Sequence, residues 1–394
     1  MDTIIMARRL CIIPVFYPSL RYNGSSMALA LYRKYRPKTV AEIIGQESVS
    51  VSLLNAAKAD KIGHAYLFYG PRGSGKTTAA RIVAKLANCE KRAVDPEFRK
   101  KGEPCNECRA CREIDEGRAL DVIEIDAASN RGIDEIRSLK EGIRLAPTSY
   151  RYKVFLIDEV HQLTKEAFNA LLKTLEEPPA HAIFVLATTE YDKLPATIVS
   201  RTQRFGFKKI PVGKIIDKLK RIATAEKIKI SNEALEVIAI AADGGFRDAE
   251  SLFEQVVSLE DKEITLSEVE RILGRVGAVK TAVMAEELIT RNKEALVILS
   301  EIASEGYNLN QLVKDLILYI RRVLVLAYNE KMEDIFKDEM TPESLSRMKE
   351  MAKNCDKQKT VELIRLLIRA YGEMKYSPFA IVPLEVAIVE ALKE

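Results

Sequence analysis

The sequence predicts an α/β fold in which a parallel sheet with helices on both faces is followed by two helical regions. Short apolar runs of strand type alternate with helical patterns between residues 65 and 207, and this alternation is typical of parallel sheets. A glycine-rich loop at residues 70–77 joins the first of these runs to a helix. From Ile210-Pro211 to Glu394 the pattern predicts one helix after another.

Length and composition limit the possible classes of protein. A chain of 394 residues is long enough for two or three domains. The net charge of +4 is small for this length, so any contact with nucleic acid must come from local patches. No apolar run is long enough to cross a bilayer. Six cysteines without an export signal indicate a reducing compartment, and we predict a cytoplasmic protein that does not contact a membrane.

The N-terminal segment covers residues 1–26. Arg8-Arg9 followed by an apolar run has some features of a signal peptide. However, Pro14 and Pro18 interrupt that run, and no small-residue cleavage site follows. We expect an upstream extension or a poorly ordered tail, with the working protein beginning near Met27.

The glycine-rich loop is a phosphate-binding motif. It fits G-x-x-x-x-G-K-[ST] and lies between a strand and a helix, which aims backbone N–H groups at one small volume. We expect Lys76 to reach the β- and γ-phosphates of ATP and the Thr77 hydroxyl to ligate Mg²⁺. A chance glycine turn would explain neither the flanking elements nor the Lys-Thr pair. The predicted nucleotide-binding residues of the loop are Gly70, Pro71, Arg72, Gly73, Ser74, Gly75, Lys76, Thr77 and Thr78.

Further strands and helices follow the glycine-rich loop in order. The apolar runs are continuous rather than alternating, as in strands that are buried on both faces. Pro178 and Pro179 end the helix that is predicted at residues 164–176. The predicted strands span residues 121–126, 153–157 and 182–187, and the predicted helices span residues 133–142 and 164–176.

Polar residues follow two of these strands. Asp158-Glu159 ends the third strand, and Thr188-Thr189 ends the fourth. Because ligands bind beyond the carboxyl ends of parallel strands, these side chains should converge with the glycine-rich loop. Asp158 can hold Mg²⁺ through its water shell, and Glu159 can orient and deprotonate the attacking water. The alternative is a polar strand end without a catalytic role.

Four cysteines indicate a metal site. Cys105, Cys108 and Cys111 form C-x-x-C-x-x-C, and Cys89 lies upstream. Four thiolates can surround a tetrahedral zinc ion, and a metal would fold a charged segment with little apolar core. We predict a structural Zn²⁺ module at residues 89–111. An iron–sulfur cluster and free thiols are the alternatives.

The helical half divides into two regions. A small unit at residues 211–273 is broken at Asp243-Gly244-Gly245, and its third helix carries Arg247. A larger all-helical region covers residues 274–394 and includes an amphipathic helix at Asn308–Tyr328. Periodicity alone does not distinguish a plain bundle from an assembly surface. The apolar stripe of that helix consists of Leu312, Leu316, Ile320, Val323 and Leu324.

Taken together, these motifs resemble one protein family over nearly the whole chain. From Met27 onward the sequence is similar to the gamma/tau subunits of bacterial DNA polymerase III, which are AAA+ ATPases of the sliding-clamp loader. The resemblance implies an AAA+ domain at 27–210, a helical lid at 211–273 and a helical collar for oligomerisation at 274–394. Beside the glycine-rich loop and the cysteines, it rests on residues 32–37, 126–130, 158–161, 172–179, 200–201 and 245–249.

The resemblance implies roles that the residues alone do not show. Arg201 resembles an arginine finger that reaches the γ-phosphate held by a neighbouring subunit, although Thr202 replaces the usual cysteine of the family. Thr188 or Thr189 resembles the polar sensor, and Arg247 the second sensor. Without the resemblance, the two arginines would be surface ion-pair residues. It also implies that Tyr35, Arg36, Pro37 and Ile44 join the nucleotide site and that Asn130, Arg131, Arg137 and Lys173 face DNA.

The family resemblance also implies partners and a reaction. Such subunits form a five-membered ring with the delta and delta-prime subunits and further gamma/tau copies, open the sliding clamp and place it on primer-template DNA. ATP hydrolysis releases the clamp. We expect neither a polymerase active site nor the long tail of the tau form. The alternatives are another AAA+ machine (a branch-migration motor or helicase loader), a stator subunit that does not hydrolyse ATP, and a simple kinase.

Overall fold

The computed structural model describes residues 30–129, 141–259, 263–337 and 342–393. The 1–26 extension and the DNA-facing candidates Asn130, Arg131 and Arg137 lie outside the described residues. Most of the helix predicted at 133–142 also lies outside them, and residues 141–144 are helical. Within the described residues, no helix is long and apolar enough to cross a membrane.

A parallel five-stranded sheet forms the first half of the protein. Its order is β2-β3-β4-β1-β5, and every neighbouring pair is parallel. Continuous apolar runs form the central strands because helices cover both faces, and all seven residues of β4 are buried. The strands are β1 Ala65–Tyr69, β2 Val122–Asp126, β3 Lys153–Asp158, β4 Ala182–Thr188 and β5 Gln203–Gly206.

Helices pack on the two faces of this sheet. Side chains of β1 alternate between the faces: Tyr66 and Phe68 join one hydrophobic cluster, and Leu67 joins the other. This arrangement confirms the predicted α/β class. The helices of this half of the chain, of which α1 packs on the small unit that follows rather than on the sheet, are α1 Leu31–Lys34, α2 Glu47–Lys58, α3 Lys76–Asn88, α4 Glu90–Val94, α5 Pro96–Arg99, α6 Arg109–Glu116, α7 Lys165–Glu176 and α8 Ala196–Val199, with 3₁₀ turns at Val160–Gln162 and Tyr191–Lys193.

A small unit follows, and it is not purely helical. The expectation of helices alone beyond Phe207 is wrong, because Lys229–Ile230 and Glu263–Ile264 form a short parallel pair. Strands of two residues are too short to produce a hydrophobic period, so the sequence pattern does not reveal them. The elements are α9 Val212–Glu226, β6 Lys229–Ile230, α10 Asn232–Ala241, α11 Phe246–Leu259, β7 Glu263–Ile264 and α12 Leu266–Ile272.

The C-terminal region is a helical bundle around a separate core. Its longest helix, α15, buries the predicted stripe from Leu312 to Val323, with Leu326 rather than Leu324 completing it. Asn308 caps this helix by accepting a hydrogen bond from the Gln311 N–H. The helices are α13 Ala278–Ile289, α14 Glu294–Ser304, α15 Leu309–Tyr328, α16 Glu333–Lys337, α17 Pro342–Asn354, α18 Lys357–Met374 and α19 Ile381–Lys393, with a 3₁₀ turn at Glu330–Met332.

Candidate nucleotide-binding and metal sites

The glycine-rich loop follows β1 and is enclosed by backbone on two sides. Gly70 has φ 142°, and a Cβ there would lie 2.2 Å from the Phe207 carbonyl oxygen. Gly73 has φ 72°, and a Cβ there would lie 2.9 Å from the Gly245 Cα. Both positions therefore require glycine, since any side chain would collide with backbone. The close approach at Gly73 places the start of the lid helix α11 directly on the loop.

Lys76 is the first residue of α3, and its ammonium group lies inside the glycine-rich loop. The Nζ atom donates hydrogen bonds to the carbonyl oxygens of Gly70 and Pro71, both at 2.8 Å. Only 6% of the residue is exposed. Burial lowers the pKa of Lys76, while the nearby carboxylates of Glu159 and Asp158 act to raise it. A cation at a helix N-terminus, within a loop of backbone amides, is suited to phosphate.

Thr77 and Asp158 bring two oxygen ligands together. The Thr77 hydroxyl donates to the Asp158 Oδ2 atom at 2.9 Å, and the Glu159 N–H donates to Oδ1 at 3.0 Å. Hydroxyl and carboxylate oxygens, completed by waters and phosphates, are the ligands that Mg²⁺ prefers. The residues present therefore fit the ion, which Thr77 and Asp158 would hold between β3 and α3.

Glu159 adopts an unusual backbone conformation directly after β3. Its φ of 48° lies in the left-handed region, which few non-glycine residues adopt. The carboxylate Oε2 atom accepts hydrogen bonds from the N–H of Thr189 at 3.1 Å and from its hydroxyl at 2.9 Å. Two neighbouring strand ends are thus joined through one carboxylate.

A histidine that sequence reasoning did not select lies beside these residues. The His161 Nδ1 atom is 2.9 Å from the Thr188 hydroxyl oxygen and 3.4 Å from the Glu159 carboxylate. Its Nε2 atom is 3.1 Å from the Glu190 Oε1 atom, and only 3% of its side chain is exposed. The sequence clues were its place two residues after Glu159 and its position in the 158–161 motif of the family resemblance. Thr188 and Thr189 therefore have different partners, with Thr188 on the histidine and Thr189 on the glutamate.

The segment at residues 35–46 connects the lid unit with the glycine-rich loop. Tyr35 donates a hydrogen bond to Glu226 at the end of α9, and Lys34 lies 2.6 Å from the same carboxylate. Burial raises the pKa of Tyr35 to about 12, and the hydrogen bond to Glu226 adds to the rise. At the other end, Gln46 is buried and donates to the carbonyl oxygens of Ser74 at 3.4 Å and Lys208 at 2.8 Å.

The remaining predicted residues of this segment have the following environments. Burial lowers the pKa of Arg36, and the neighbouring Arg81 guanidinium lowers it further. Pro37 and Ile44 are half-buried. Gln46 connects this segment to the phosphate loop, and the roles of Arg36, Pro37 and Ile44 at the nucleotide site stay predictions.

Arg247 lies in the first turn of the lid helix α11. The Phe246 N–H donates to the Gly73 carbonyl oxygen at 3.1 Å, which fixes the helix start against the glycine-rich loop. The Arg247 side chain is exposed, and its guanidinium carbon is 5.1 Å from the centre of the Tyr32 ring. The lid thus brings an arginine to the same side of the loop as α1.

Arg201 lies at the opposite end of the sheet from its own glycine-rich loop. β5 runs parallel to β1, with Gln203 opposite Tyr66 and Gly206 opposite Tyr69. The loop follows Tyr69, whereas Arg201 precedes Gln203, so the strand length of about 13 Å separates the two. The guanidinium pairs with the Glu176 carboxylate at 2.7 Å and donates to the Thr197 carbonyl oxygen at 2.8 Å. Lys173, the fourth DNA-facing candidate, is exposed on α7.

The four cysteines form a single cluster. Their sulfur atoms lie within 4.8 Å of one another, and those of Cys105 and Cys111 are 3.9 Å apart. A tetrahedral zinc ion with Zn–S bonds of about 2.3 Å requires sulfur–sulfur edges of about 3.8 Å. The donor set therefore fits Zn²⁺ with four protein ligands, which is a structural rather than a catalytic coordination. Four thiols also suit an iron–sulfur cluster, so that alternative stays open.

Hydrogen bonds and burial within the cluster shift the pKa values of its thiols in both directions. The N–H groups of Glu107 and Cys108 point at the Cys105 sulfur, at 3.4 and 3.2 Å. A hydrogen bond from Cys111 lowers the pKa of Cys89 to about 5. The same contact raises the pKa of Cys111, and burial raises that of Cys108. A thiolate at Cys89 is the form that a metal ion binds.

This fold and this site define a P-loop protein of the α/β class with an added cysteine module. Three family models match successive parts of the chain: "DNA polymerase III, delta subunit" at residues 45–211, "DNA polymerase III clamp loader subunit, ATPase lid domain" at 214–261, and "DNA polymerase III subunits gamma and tau domain III" at 264–393. The chain belongs to the gamma/tau family of bacterial DNA polymerase III subunits.

Relatives of different lengths support that assignment. The tau subunit of Bacillus subtilis (strain 168) is 43% identical over 92% of this chain and 62% of its own length. The tau subunit of Escherichia coli (strain K12) is 37% identical over 92% of this chain and 55% of its own. The gamma subunit of Buchnera aphidicola from Acyrthosiphon pisum is 33% identical over 92% of this chain and 98% of its own. The chain thus spans little more than half the length of the two tau subunits.

Solved structures also resemble this chain. The Thermotoga maritima RuvB Holliday junction branch migration motor is 22% identical, with a TM-score of 0.45, over 64% of this chain and 79% of that one. The Bacillus subtilis DNA clamp loader delta protein is 16% identical, with a TM-score of 0.38, over 87% of this chain and 99% of that one.

Proposed function

We propose that this chain is an ATPase motor subunit of the replicative clamp loader, which hydrolyses ATP to load the sliding clamp onto primed DNA. The convergence of Lys76, the Thr77–Asp158 pair and Glu159 at the carboxyl ends of β1 and β3 carries this proposal. These residues supply a phosphate cation, metal ligands and a base, which are the parts that ATP hydrolysis requires.

Each residue of the site has a separate role in this proposal. Backbone N–H groups of the glycine-rich loop and the Lys76 ammonium hold the phosphates, and Thr77 with Asp158 holds Mg²⁺, which neutralises developing charge when bound. Glu159 accepts the proton of the attacking water. The two hydrogen bonds from Thr189 orient the Glu159 carboxylate.

Arg201 acts on a neighbouring subunit in this proposal. Its position at the far end of the sheet from its own loop supports a role in trans, since it cannot complete the site of its own chain. The Glu176 ion pair then holds the side chain until a neighbour's nucleotide replaces the carboxylate. Arg247, on the lid helix, acts in cis on the bound nucleotide.

We further propose domain boundaries at 210/211 and 273/274, with structural Zn²⁺ at Cys89, Cys105, Cys108 and Cys111. The proposed partners are the delta and delta-prime subunits, further gamma/tau copies, the sliding clamp and primer-template DNA, which Lys173 would face. Exposed apolar side chains on the C-terminal unit support an assembly role for residues 274–394. These include Tyr376, which is 89% exposed, Phe379 at 69%, and Val382 and Val386 at 45% each.

Steady-state ATPase activity, measured with and without sliding clamp and primed DNA, tests the function. We expect slow hydrolysis by the chain alone and stimulation when the other loader subunits, clamp and DNA are added together. Lys76→Ala is the control for contaminating ATPase. A stator subunit would instead bind ATP without any hydrolysis that depends on Lys76, and another AAA+ machine would show no response to the clamp.

A further inference from the structure

The cysteine module contacts the segment at residues 35–46, which borders the nucleotide site. The module also packs on helices of the sheet domain, because Arg92 is buried and donates to the carbonyl oxygens of Leu86 at 3.1 Å and Ala57 at 2.8 Å. The module is thus fixed to α2 and α3 on one side. Its other contacts reach the 35–46 segment through two charged side chains.

Lys85 is the first of these charged side chains. It lies on α3, the helix that begins at Lys76, and only 1% of it is exposed. Its Nζ atom donates to the Lys38 carbonyl oxygen at 2.7 Å, to the Asn106 side-chain oxygen at 2.9 Å and to the Asp115 carboxylate at 2.7 Å. An ammonium group has three N–H donors, so all three are used.

The partners of Lys85 come from three parts of the chain. Asn106 lies in the turn between Cys105 and Cys108, with a left-handed φ of 60°. Asp115 belongs to α6, which begins directly after Cys108, and Lys38 belongs to the 35–46 segment. The position of the segment therefore depends on a buried charge that the module helps to satisfy.

Glu103 is the second charged side chain. One carboxylate oxygen accepts from the Val40 N–H at 2.7 Å, and the other accepts from the Ala41 N–H at 2.8 Å. Bonds to an ionised acceptor are about twice as strong as neutral ones. Val40 is fully buried in the hydrophobic cluster that contains residues of α3. The two hydrogen bonds to Glu103 therefore hold the segment in the position in which Val40 is buried.

We propose that the cysteine module, through Lys85 and Glu103, positions the 35–46 segment for the adenosine part of ATP. Both residues act through their hydrogen bonds to the segment, so both are positioning residues. The inference rests on the proposed ATP site, to which the resemblance to the gamma/tau family adds Tyr35, Arg36, Pro37 and Ile44 of the segment. The glycine-rich loop has contacts of its own with Phe207 and the lid, in addition to the hydrogen bond that Gln46 of the segment donates to Ser74. Losing these contacts should therefore weaken binding of adenosine and spare binding of phosphate.

Calorimetry with two Mg²⁺-bound ligands, ATP and inorganic tripolyphosphate, tests this inference on the full chain. Lys85→Met and Glu103→Gln should each weaken ATP binding on the order of tenfold, as expected when hydrogen bonds to charged groups are lost, and leave tripolyphosphate affinity within about twofold. Metal content is measured in parallel and should stay at the parent's value. Chelation of the parent's metal should produce the same selective loss.

Matched controls separate positioning from general damage. Lys153→Met removes another buried lysine, which donates to the Gly142 carbonyl oxygen at 2.8 Å and not to the segment. Glu107→Gln removes an exposed carboxylate from the same module. Both controls should bind ATP like the parent.

Three results would overturn the inference. One is an equal loss of ATP and tripolyphosphate affinity in the variants, and another is an equal effect of Lys153→Met. The third is unchanged ATP affinity in Glu103→Gln, which decides the matter even if Lys85→Met does not fold. A parent chain that binds no ATP would instead contradict the proposed function itself.

Discussion

Replacing Arg201 with alanine should abolish most ATP hydrolysis in the assembled loader and barely change the stability of the chain. The side chains of Arg201 and Glu176 are 34% and 47% exposed, and surface pairs of this kind contribute about 0–1 kcal/mol. An arginine finger in related chemistry accelerates hydrolysis by about 10³ to 10⁵, which corresponds to about 4–7 kcal/mol of the barrier. The rise in the activation barrier for hydrolysis should therefore exceed the loss in the free energy of unfolding by several kcal/mol.

Mixing two inactive variants provides the assay for this prediction. Arg201→Ala chains keep an intact glycine-rich loop, and Lys76→Ala chains keep an intact finger, so sites formed between them should recover steady-state hydrolysis that neither variant shows alone. ATP affinity of Arg201→Ala should equal that of the parent. Two controls frame the result: Arg204→Ala removes an exposed arginine from β5, and Glu176→Gln removes the ion pair while keeping Arg201.

Neither control should lower the rate in the assembly by more than about twofold, since surface charges of this kind contribute little. The reasoning for a shared site fails if variants that associate recover no activity on mixing. It also fails if Arg201→Ala hydrolyses ATP at the parental rate in the full assembly. Arg201 would then be only the surface partner of Glu176.

Three further predictions concern the remaining parts of the site. Equilibrium binding should show that Lys76→Ala loses ATP because the phosphates lose their loop cation, whereas Glu159→Gln binds ATP without hydrolysing it; equal loss in both would contradict the assigned roles. Thr189→Val should lower the hydrolysis rate about tenfold at unchanged ATP affinity, since it removes one of two hydrogen bonds to Glu159, and a parental rate would show that the hydroxyl is dispensable. Elemental analysis of reduced protein should find about one zinc ion per chain. Cys108→Ser should release the zinc ion, while the far-ultraviolet circular dichroism of the sheet domain persists. Metal-free parent protein would refute the zinc site.

The sequence predicted those parts of the fold where pattern and chemistry agree. The apolar runs that become β1, β3 and β4 are buried on both faces, so they show as continuous stretches. By contrast, the apolar pattern did not predict β5, because this strand lies at the sheet edge. There Gln203 and Arg204 face solvent and only four residues pair. Short edge strands carry little hydrophobic pattern.

The site shows the same division. Motif spacing indicated the glycine-rich loop, the acidic pair and the cysteines, and the structure brings each group together. Motif spacing did not reveal that Lys85 is buried, because a lysine side chain on a helix is normally exposed to solvent. It also did not reveal the left-handed backbone of Glu159 or the contact between His161 and Thr188. Those features depend on which strand ends meet, and that information lies in the tertiary structure.

The strand order also has a consequence for synthesis of the chain on the ribosome. β1, which carries the glycine-rich loop at its end, is translated first, yet its two neighbours β4 and β5 are translated last. After Tyr69, the ribosome must add every residue up to Gly206, which takes about 7–27 s at rates of about 5–20 residues per second. Until β4 is complete at Thr188, the strongly apolar β1 has no permanent partner on either side, and its other edge stays unpaired until β5 is made. The nascent chain should therefore bind chaperones throughout this window and become resistant to protease only after β5 leaves the exit tunnel.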